Sequence, residues 1–294
     1  MNSDTPLSSR GGLTPGARER LSRSGMAALI VLLVIAAVCL LAPITAPYDP
    51  AAQPEIIELQ SRAPSAEYPF GTDRYSRDVL SRVIYGGRMS LGVALVATLV
   101  SVTFGTAYGA VTGYATGVTR TILERILEAL LSIPRLLLLI AIFAAWRNPP
   151  GGSFVVIVGL TGWYGLARLV RGQVLALKTR DFVSSARALG ATQTRILVRH
   201  ILPNVMTPVI VAATLGIGHV IVLEAGLSYL GIGIPEPAAS WGTMIHDGSD
   251  NTRMADYWWM SVFPGLAIVI TVMAFNVLGD ALLRALRPWQ TEAE

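Results

Sequence analysis

Charged side chains are scarce in this sequence. Of its 294 residues only 14% are Asp, Glu, Lys or Arg, while 52% are hydrophobic. Soluble globular domains carry about a quarter charged residues, and even a large soluble core alternates apolar helix faces with charged ones. The composition therefore excludes an ordinary soluble domain and favours a protein that lies in a membrane.

Cysteine, lysine and histidine are also rare. The single Cys39 cannot form an intrachain disulfide, so cysteine usage says nothing about the compartment. The single Lys178 stands in LALKTR, outside any G-x-x-x-x-G-K-[ST] loop. His200, His219 and His246 lack metal-ligand spacing, and there is no G-x-S-x-G motif. We therefore predict that the chain is not an enzyme and holds no metal or cofactor, and that His219 is a packed, hydrogen-bonded residue.

Several segments are apolar enough to cross a bilayer, which needs roughly 20 residues for a hydrocarbon layer of ~30 Å. Uncharged runs occupy residues 26–46, 89–119, 205–223 and 258–279, and less clean apolar segments lie near 122–146 and 150–169. The first run is longer than the hydrophobic core of a signal peptide, which has about 7–15 residues. We therefore interpret it as a retained helix and not as a cleaved leader. The fold class predicted is an all-α membrane protein with about six transmembrane helices.

The distribution of basic residues predicts the orientation. Residues 168–200 contain seven Arg or Lys and one acid, whereas residues 224–257 contain five acids and one arginine. Because cationic loops stay in the cytoplasm, we expect both termini and residues 168–200 inside and residues 224–257 outside. Residues 47–88 must then be outside although they contain five arginines, which strains the rule. The formal net charge of +4 could suggest nucleic-acid binding, but this uneven distribution of the basic residues argues against it.

The composition divides the chain into a few parts. The polar residues 1–24 are predicted to be a disordered cytoplasmic tail. The amphipathic stretch RDVLSRVIYGGRMSL is expected to lie at the outer interface. The predicted parts are the tail 1–24, a first transmembrane helix 25–46, an extracytoplasmic loop 47–88 with the amphipathic helix, a core 89–288 with five transmembrane helices and a cytoplasmic loop 178–203, and a tail 289–294.

Four glycines recur at every fourth position of the second predicted crossing. They are Gly105, Gly109, Gly113 and Gly117. This spacing places them on one stripe of a helix, where a neighbouring helix can approach closely. We therefore predict tight helix packing along the stripe.

Arg135 follows Pro134 near the middle of the third predicted crossing. An arginine at mid-membrane costs at least ~2.5–3.5 kcal/mol on insertion scales, so it must face protein or water. An ion pair with Glu128, or snorkelling, is the structural interpretation. Contact with an anionic group on a transport pathway is the functional interpretation, and both stay open at this point.

The apolar chain is interrupted by SSARALGATQTRILVRHILPN, residues 184–204. Phe182, Ala186 and Leu189 share one helical face by their spacing. The residues next to this face are small, namely Ser184, Ser185 and Ala188. Gly190 suits a helix end that must turn, and Pro203 limits how the following helix joins the next crossing.

This interruption is ringed by Arg187, Arg195 and Arg199. A short helix with small side chains can enter a groove on a cytoplasmic partner while arginines pair with acidic rims. A basic loop held on anionic lipid explains the charge alone. It does not explain the small residues or the glycine break, so we predict a docking helix.

These segments resemble a known family. The loop, with its small residues, glycine and Ile-Leu-Pro, is similar to the EAA loop of permease subunits of bacterial ABC importers. Four further segments resemble the C-type subunit of the dipeptide/oligopeptide/nickel permeases, so that the likeness covers roughly residues 26–288. They are FGTDRYSRDVLSRVIYGGRMSL (70–91), LARLVRGQVLALKTRDFV (166–183), EAGLSYLGIGIPEPAASWGTMI (224–245) and NVLGDAL (276–282).

The resemblance implies a type I importer fold in the bacterial cytoplasmic (inner) membrane. It implies as partners a second permease subunit, two ATPase subunits that use ATP and Mg²⁺, and an extracytoplasmic solute-binding protein, in addition to membrane lipid. The loop from Phe182 to Pro203 would couple to the ATPase. The chain departs from the family at Ser184, where the family has glutamate, and at Arg284 and Arg287, where it commonly has aspartates.

Two other classes of membrane protein compete with this interpretation. A secondary transporter would carry inverted repeats and carboxylates at the midplane, but no repeat relates the halves, and Glu128 is the only candidate carboxylate. A membrane scaffold would not need a docking loop. We therefore predict a permease for peptides or a related small solute, with a secondary transporter as the alternative.

Overall fold

The computed structural model describes residues 22–146, 152–233, 238–249 and 256–286. Residues 1–21 and 289–294 of the predicted tails lie outside the described residues. The described chain is mostly helical apart from the irregular segment 46–78, which contains one isolated β-bridge between Thr72 and Asp78. The helices are α1 Arg23–Leu40, α2 Ala42–Thr45, α3 Val79–Tyr114, α4 Gly117–Leu131, α5 Arg135–Ala145, α6 Ser153–Lys178, α7 Asp181–Ala188, α8 Gln193–Ile196, a π-helical turn Leu197–Ile201, α9 Leu202–Tyr229, α10 Trp241–Ser249 and α11 Trp259–Ala285.

Five helical runs in the described chain are long and apolar enough to span a bilayer. They are α1, α3, α6, α11 and the continuous run from α8 to the end of α9. The third predicted crossing is instead broken, because α4 and α5 meet at an angle of 78°. The break falls at Ser132–Pro134, where the proline cannot continue a helix from the preceding turn.

The packing of α3 against α6 shows what the broken pair does. Near its beginning α6 contacts the middle of α3, where Gly159 faces Val100, and near its end it contacts the last turn of α3, where Val174 faces Gly113. The two helices therefore run in the same direction. Since parallel neighbours need a return between them, α4 and α5 together carry the chain back and form one crossing. The described bundle then has six crossings, and α7 lies on the same side as the beginning of α1 and the end of α11.

The second crossing begins earlier than the sequence predicts. Residues 79–91, expected as a separate amphipathic helix at the interface, are the first turns of the 36-residue helix α3. Asp78 caps this helix by accepting a hydrogen bond from the Ser81 N–H at 2.7 Å. Cys39 of α1 and Trp241 of α10 cover Gly87 so closely that a Cβ there would lie 2.5 Å from the Cys39 Sγ. The segment is buried by other elements and does not lie on the membrane surface.

A buried ionic network joins residues 73–82 to α10. The Arg77 Nε lies 2.6 Å from the Asp73 Oδ2. The Arg77 Nη2 and the Arg82 Nη2 each lie 3.5 Å from the Asp247 Oδ2, and the Arg74 Nη2 lies 3.3 Å from the Asp247 Oδ1. Three of the five arginines that strain the charge rule in residues 47–88 are therefore in ion pairs.

The glycine stripe of α3 packs on α6. A Cβ added at Gly105 would lie 2.9 Å from the Trp163 carbonyl oxygen, and one at Gly113 would lie 2.8 Å from the Val174 Cβ. Gly109 is as tightly covered, by Ala167 and Val170. The prediction that Gly117 belongs to the stripe is wrong. Gly117 lies beyond the end of α3, begins α4 with φ +59°, and has open space where a Cβ would be. The stripe therefore has three members, because α3 ends at Tyr114.

Candidate functional site

Helix α7 presents a small, polar face away from the bundle. Val183 is fully buried in a cluster that also contains Ile196, Ile201 and Val174, and the partly buried Ala186 packs against this cluster. The other α7 side chains are exposed. They include Phe182, Ser184, Ser185, Arg187 and Ala188. Phe182 and Leu189, which the spacing places on one face with Ala186, are exposed, whereas Ala186 is partly buried.

Gly190 ends α7 in a Schellman motif. The Ala191 N–H donates to the Ala186 carbonyl at 3.1 Å, and the Gly190 N–H donates to the Arg187 carbonyl at 3.0 Å. Gly190 has φ +80°, the left-handed conformation that a glycine adopts without strain. The turn that joins α7 to α8 leaves the Leu189 side chain 88% exposed. Thr192 then caps α8, since its side chain accepts a hydrogen bond from the Arg195 N–H.

The Leu-Pro-Asn segment does not break the chain into two helices. Pro203 lies in the first turn of α9, directly after the π-helical turn 197–201. A proline has no N–H and its ring crowds the carbonyl four residues earlier, and the wider π turn leaves room for it. The Asn204 side chain donates to the His200 carbonyl at 2.7 Å. Residues 193–229 therefore form one continuous helix that connects α7 to the membrane.

The surface around α7 is cationic. Arg180, Arg187, Arg195 and Arg199 are exposed, and none of them forms an ion pair with an acidic side chain in the described part of the chain. Lys178, at the end of α6, instead donates to the Tyr114 carbonyl at 2.7 Å and so caps the end of α3. The exposed arginines remain available to acidic groups from outside the chain.

A cavity of about 280 Å³ opens among α3, α5, α6 and α9. Its polar lining comes from Thr98, Ser101, Arg135 and His219, and glycines of α6 and α9 form much of the rest. Sequence reasoning missed the grouping of these residues, which come from four separate helices. A weak signal existed in the polar positions Thr98, Ser101 and His219 within apolar runs.

Arg135 begins α5 and reaches into this cavity. Its Nη2 donates to the Val158 carbonyl at 2.7 Å. Its guanidinium packs over Gly162, where a Cβ would lie 2.8 Å from the Nη2. The predicted ion pair with Glu128 is wrong, because Glu128 pairs with Arg125 at 3.0 Å on the exposed side of α4. The bend between α4 and α5 separates the two residues that a straight helix would have placed on one face.

A buried carboxyl group, which sequence reasoning did not single out, lies between α9 and α3. The Ser228 hydroxyl donates to the Glu224 Oε1 at 2.7 Å, and the Ser90 hydroxyl donates to the Oε2 at 3.2 Å. The Trp241 N–H in turn donates to the Ser90 Oγ at 3.2 Å. This network fixes the beginning of α10 against the bundle. Among the described residues no group of His, Cys, Asp or Glu has the arrangement of a metal site.

Comparison with known proteins identifies the class to which this architecture belongs. The family described as "Binding-protein-dependent transport system inner membrane component" matches residues 81–292. The family described as "N-terminal TM domain of oligopeptide transport permease C" matches residues 18–64. The chain thus belongs to the binding-protein-dependent transport permeases, and it is the membrane-embedded permease subunit of an ABC importer.

Individual relatives agree with this assignment. The chain is 40% identical over 271 residues to the dipeptide transport system permease protein DppC of Bacillus subtilis, covering 92% of this chain and 83% of that protein. It is 40% identical over 276 residues to the oligopeptide transport system permease protein OppC of Escherichia coli K12, covering 92% and 90%. These likenesses do not favour the alternative of a secondary transporter.

A solved structure shares the fold. A chain of the MetNI methionine ABC transporter, in an inward-facing conformation, superposes with a TM-score of 0.51 at 24% sequence identity. The likeness covers 67% of this chain and 94% of that one. It confirms the predicted ABC permease fold.

Proposed function

We propose that this permease forms one half of a peptide pathway in the bacterial cytoplasmic membrane, and that α7 couples it to an ATPase. A second permease subunit would complete the pathway. Two ATPase subunits would bind on the α7 side, and a solute-binding protein would deliver peptide on the α10 side. The relatives named above are dipeptide and oligopeptide permeases, which supports peptides as the substrate class.

The observation that carries the coupling role is the outward face of α7. Small side chains at Ser184, Ser185 and Ala188 leave a low surface that can enter a groove, and Leu189 adds an exposed apolar contact. Four exposed arginines without acidic partners in the described chain surround it, and such groups pair well with carboxylates. The low face of small residues, the exposed Leu189 and the surrounding arginines together fit a groove with an acidic rim on a partner protein.

The connection of α7 to the bundle supports transmission of movement. Val183 belongs to the same buried cluster as Ile196, Ile201 and Val205, which lie near the beginning of the continuous helix 193–229. Since α9 also lines the cavity with His219 and Gly216, a displacement of α7 would move a wall of the proposed pathway. Both ends of the described bundle lie on the α7 side, which agrees with cytoplasmic termini if the ATPase binds there.

The coupling role can be tested at Gly190. The tagged chain would be co-expressed with the second permease and ATPase genes of its own operon, purified in mild detergent and assayed for bound ATPase and for peptide uptake. Gly190→Pro removes the N–H that binds the Arg187 carbonyl, and Gly190→Ala forces a side chain to φ +80°, which costs about 1–2 kcal/mol. We expect Gly190→Pro to lose both ATPase and uptake, Gly190→Ala to lose part, and Gly190→Asn, which tolerates this conformation, to retain most.

A matched control exists on the opposite side of the bundle. Gly231 has φ +77° and open space around it, so Gly231→Ala imposes the same strain away from α7. It should leave the amount of co-purified ATPase unchanged. Leu189→Ser removes an 88% exposed side chain and should weaken ATPase binding without loss of the inserted chain. Normal ATPase binding by Gly190→Pro, at normal membrane levels, would refute the coupling role.

A further inference from the structure

The cavity among α3, α5, α6 and α9 contains polar groups that the described residues leave unsatisfied. The Arg135 Nε and the Thr98 Oγ1 are buried and have no hydrogen-bond partner. Thr98 is only 8% exposed. Buried polar atoms are nearly always hydrogen-bonded, so two unsatisfied polar atoms in one cavity indicate that a polar ligand or water forms hydrogen bonds with them.

The charge of Arg135 is also uncompensated. No acidic side chain of the described chain pairs with it, and its only hydrogen bond goes to the neutral Val158 carbonyl. An arginine within a membrane bundle is costly unless it faces a partner or a wet cavity. Its planar, forked guanidinium matches a carboxylate better than it matches a carbonyl or hydroxyl. The cavity is therefore built to receive an anionic oxygen group.

His219, on the α9 side of the cavity, offers a hydrogen-bond acceptor, whereas Arg135 offers donors. Its Nδ1 lies 2.9 Å from the Leu215 carbonyl oxygen. Because a carbonyl only accepts, the Nδ1 must carry the proton, and in the neutral ring the Nε2 is then a free acceptor. The same cavity thus joins a donor for carboxylate, Arg135, with an acceptor for an N–H group, His219.

The size of the cavity fits the end of a peptide. About 280 Å³ is at the lower limit of small-molecule sites, which hold ~300–1,000 Å³. Much of the space exists because Gly165 and Gly216 have no side chain: a Cβ at Gly165 would meet nothing within 4 Å, and one at Gly216 would only touch the Thr98 Cγ2 at 3.9 Å. One peptide terminus fits here, whereas a whole oligopeptide does not.

We infer that this cavity binds the carboxyl-terminal end of a passing peptide, with Arg135 holding the α-carboxylate and the His219 Nε2 accepting a backbone N–H. This inference rests on the proposed function, since it specifies what the pathway recognises. Both groups are common to all peptides, so the cavity discriminates a free carboxyl terminus from a blocked one and ignores side chains. Arg135, a possible pathway residue by sequence, and His219, interpreted there as packed, act together at this subsite.

The test compares uptake of trialanine with that of its carboxyl-terminal amide, in cells that express the complete transporter. The binding protein also selects peptides, but it is the same for every permease variant, so its preference cancels from the variant-to-wild-type ratio for each peptide. Arg135→Gln should reduce the acid-to-amide uptake ratio about tenfold, the effect of one charge-assisted hydrogen bond of roughly 1.5 kcal/mol. Arg135→Lys should retain part of the preference.

Two further variants separate the roles. His219→Leu removes the acceptor and should reduce uptake of acid and amide equally, since both carry the same backbone N–H groups between their residues. Gly165→Leu fills the cavity from an open position and should reduce uptake of both peptides. Gly172→Leu is the matched control, because Gly172 lies two turns further along α6, also has nothing within 4 Å of a Cβ, and does not line the cavity.

The outcomes are distinct. An unchanged acid-to-amide ratio in Arg135→Gln, or normal uptake by Gly165→Leu, overturns the subsite. Co-purification of the ATPase with each variant is measured in parallel and reports on the proposed function separately. Loss of the subsite with ATPase still bound would leave the importer intact and move peptide recognition elsewhere in the pathway.

Discussion

Replacement of Asp247 by asparagine should open the outer layer of the protein, made of residues 47–78 and α10. Asp247 lies 3.3–3.5 Å from the guanidinium groups of Arg74, Arg77 and Arg82. A neutral amide at this position would remove a negative charge that these three cations share, while the Asp73 carboxylate would still pair with Arg77 and Arg82. Breaking a buried ion pair by removing one partner costs about 3–5 kcal/mol. Because the Asp247 side chain is 14% exposed, we expect a cost at the lower end of this range, about 3 kcal/mol.

The assay for Asp247→Asn is amide hydrogen exchange by mass spectrometry in lipid nanodiscs. A loss of about 3 kcal/mol corresponds to roughly 100-fold faster opening of α10, while the amides of α3 and α6 below the layer should stay protected. Glu128→Gln is the control, since the Arg125–Glu128 pair has side chains 79% and 58% exposed and such pairs contribute about 0–1 kcal/mol. Exchange in α10 close to the wild-type rate after Asp247→Asn would refute the reasoning.

Further predictions concern helix packing. Gly109→Ala places a methyl group against the Ala167 carbonyl and 2.8 Å from the Val170 Cβ, so thermal unfolding in detergent should show a loss of about 1–3 kcal/mol. Gly92 lies on the same helix, but a Cβ added there would meet nothing within 4 Å, so Gly92→Ala should be neutral or slightly stabilising. Equal effects at the two positions would contradict the close α3–α6 contact. Trp241→Phe loses the hydrogen bond to the Val83 carbonyl and leaves space where the larger, fully buried ring lay. It should therefore cost more than about 1 kcal/mol in the same assay, and a wild-type midpoint would contradict both contributions.

Local features of the chain were predictable because their causes are local. Long uncharged runs predict membrane helices, and a glycine after a short helix predicts the left-handed turn that Gly190 adopts at φ +80°. Spacing by four predicts the close approach of α6 to Gly105, Gly109 and Gly113. Each of these follows from helix geometry or backbone sterics within a few residues of the signal.

The boundaries were less predictable, because tertiary contacts overrode local pattern. The stretch 79–91 has the periodicity of an interfacial helix, but it forms the first turns of α3, and α1 and α10 pack closely against it at Gly87. Gly117 has the spacing of the stripe, but the helix ends three residues before it. A pattern shows which face is apolar and cannot show what will lie against the other faces.

By itself the sequence determined an all-α membrane protein of the importer permease family, with a basic loop between its fourth and fifth crossings. Only the tertiary structure decided that Arg135 begins a helix after a 78° bend, away from Glu128 and in the same cavity as His219. Only it brought Arg74 to Asp247, which lie 173 positions apart. The reason is physical: periodicity and propensity act over one or two helical turns, whereas ion pairs and cavities depend on which distant helices become neighbours.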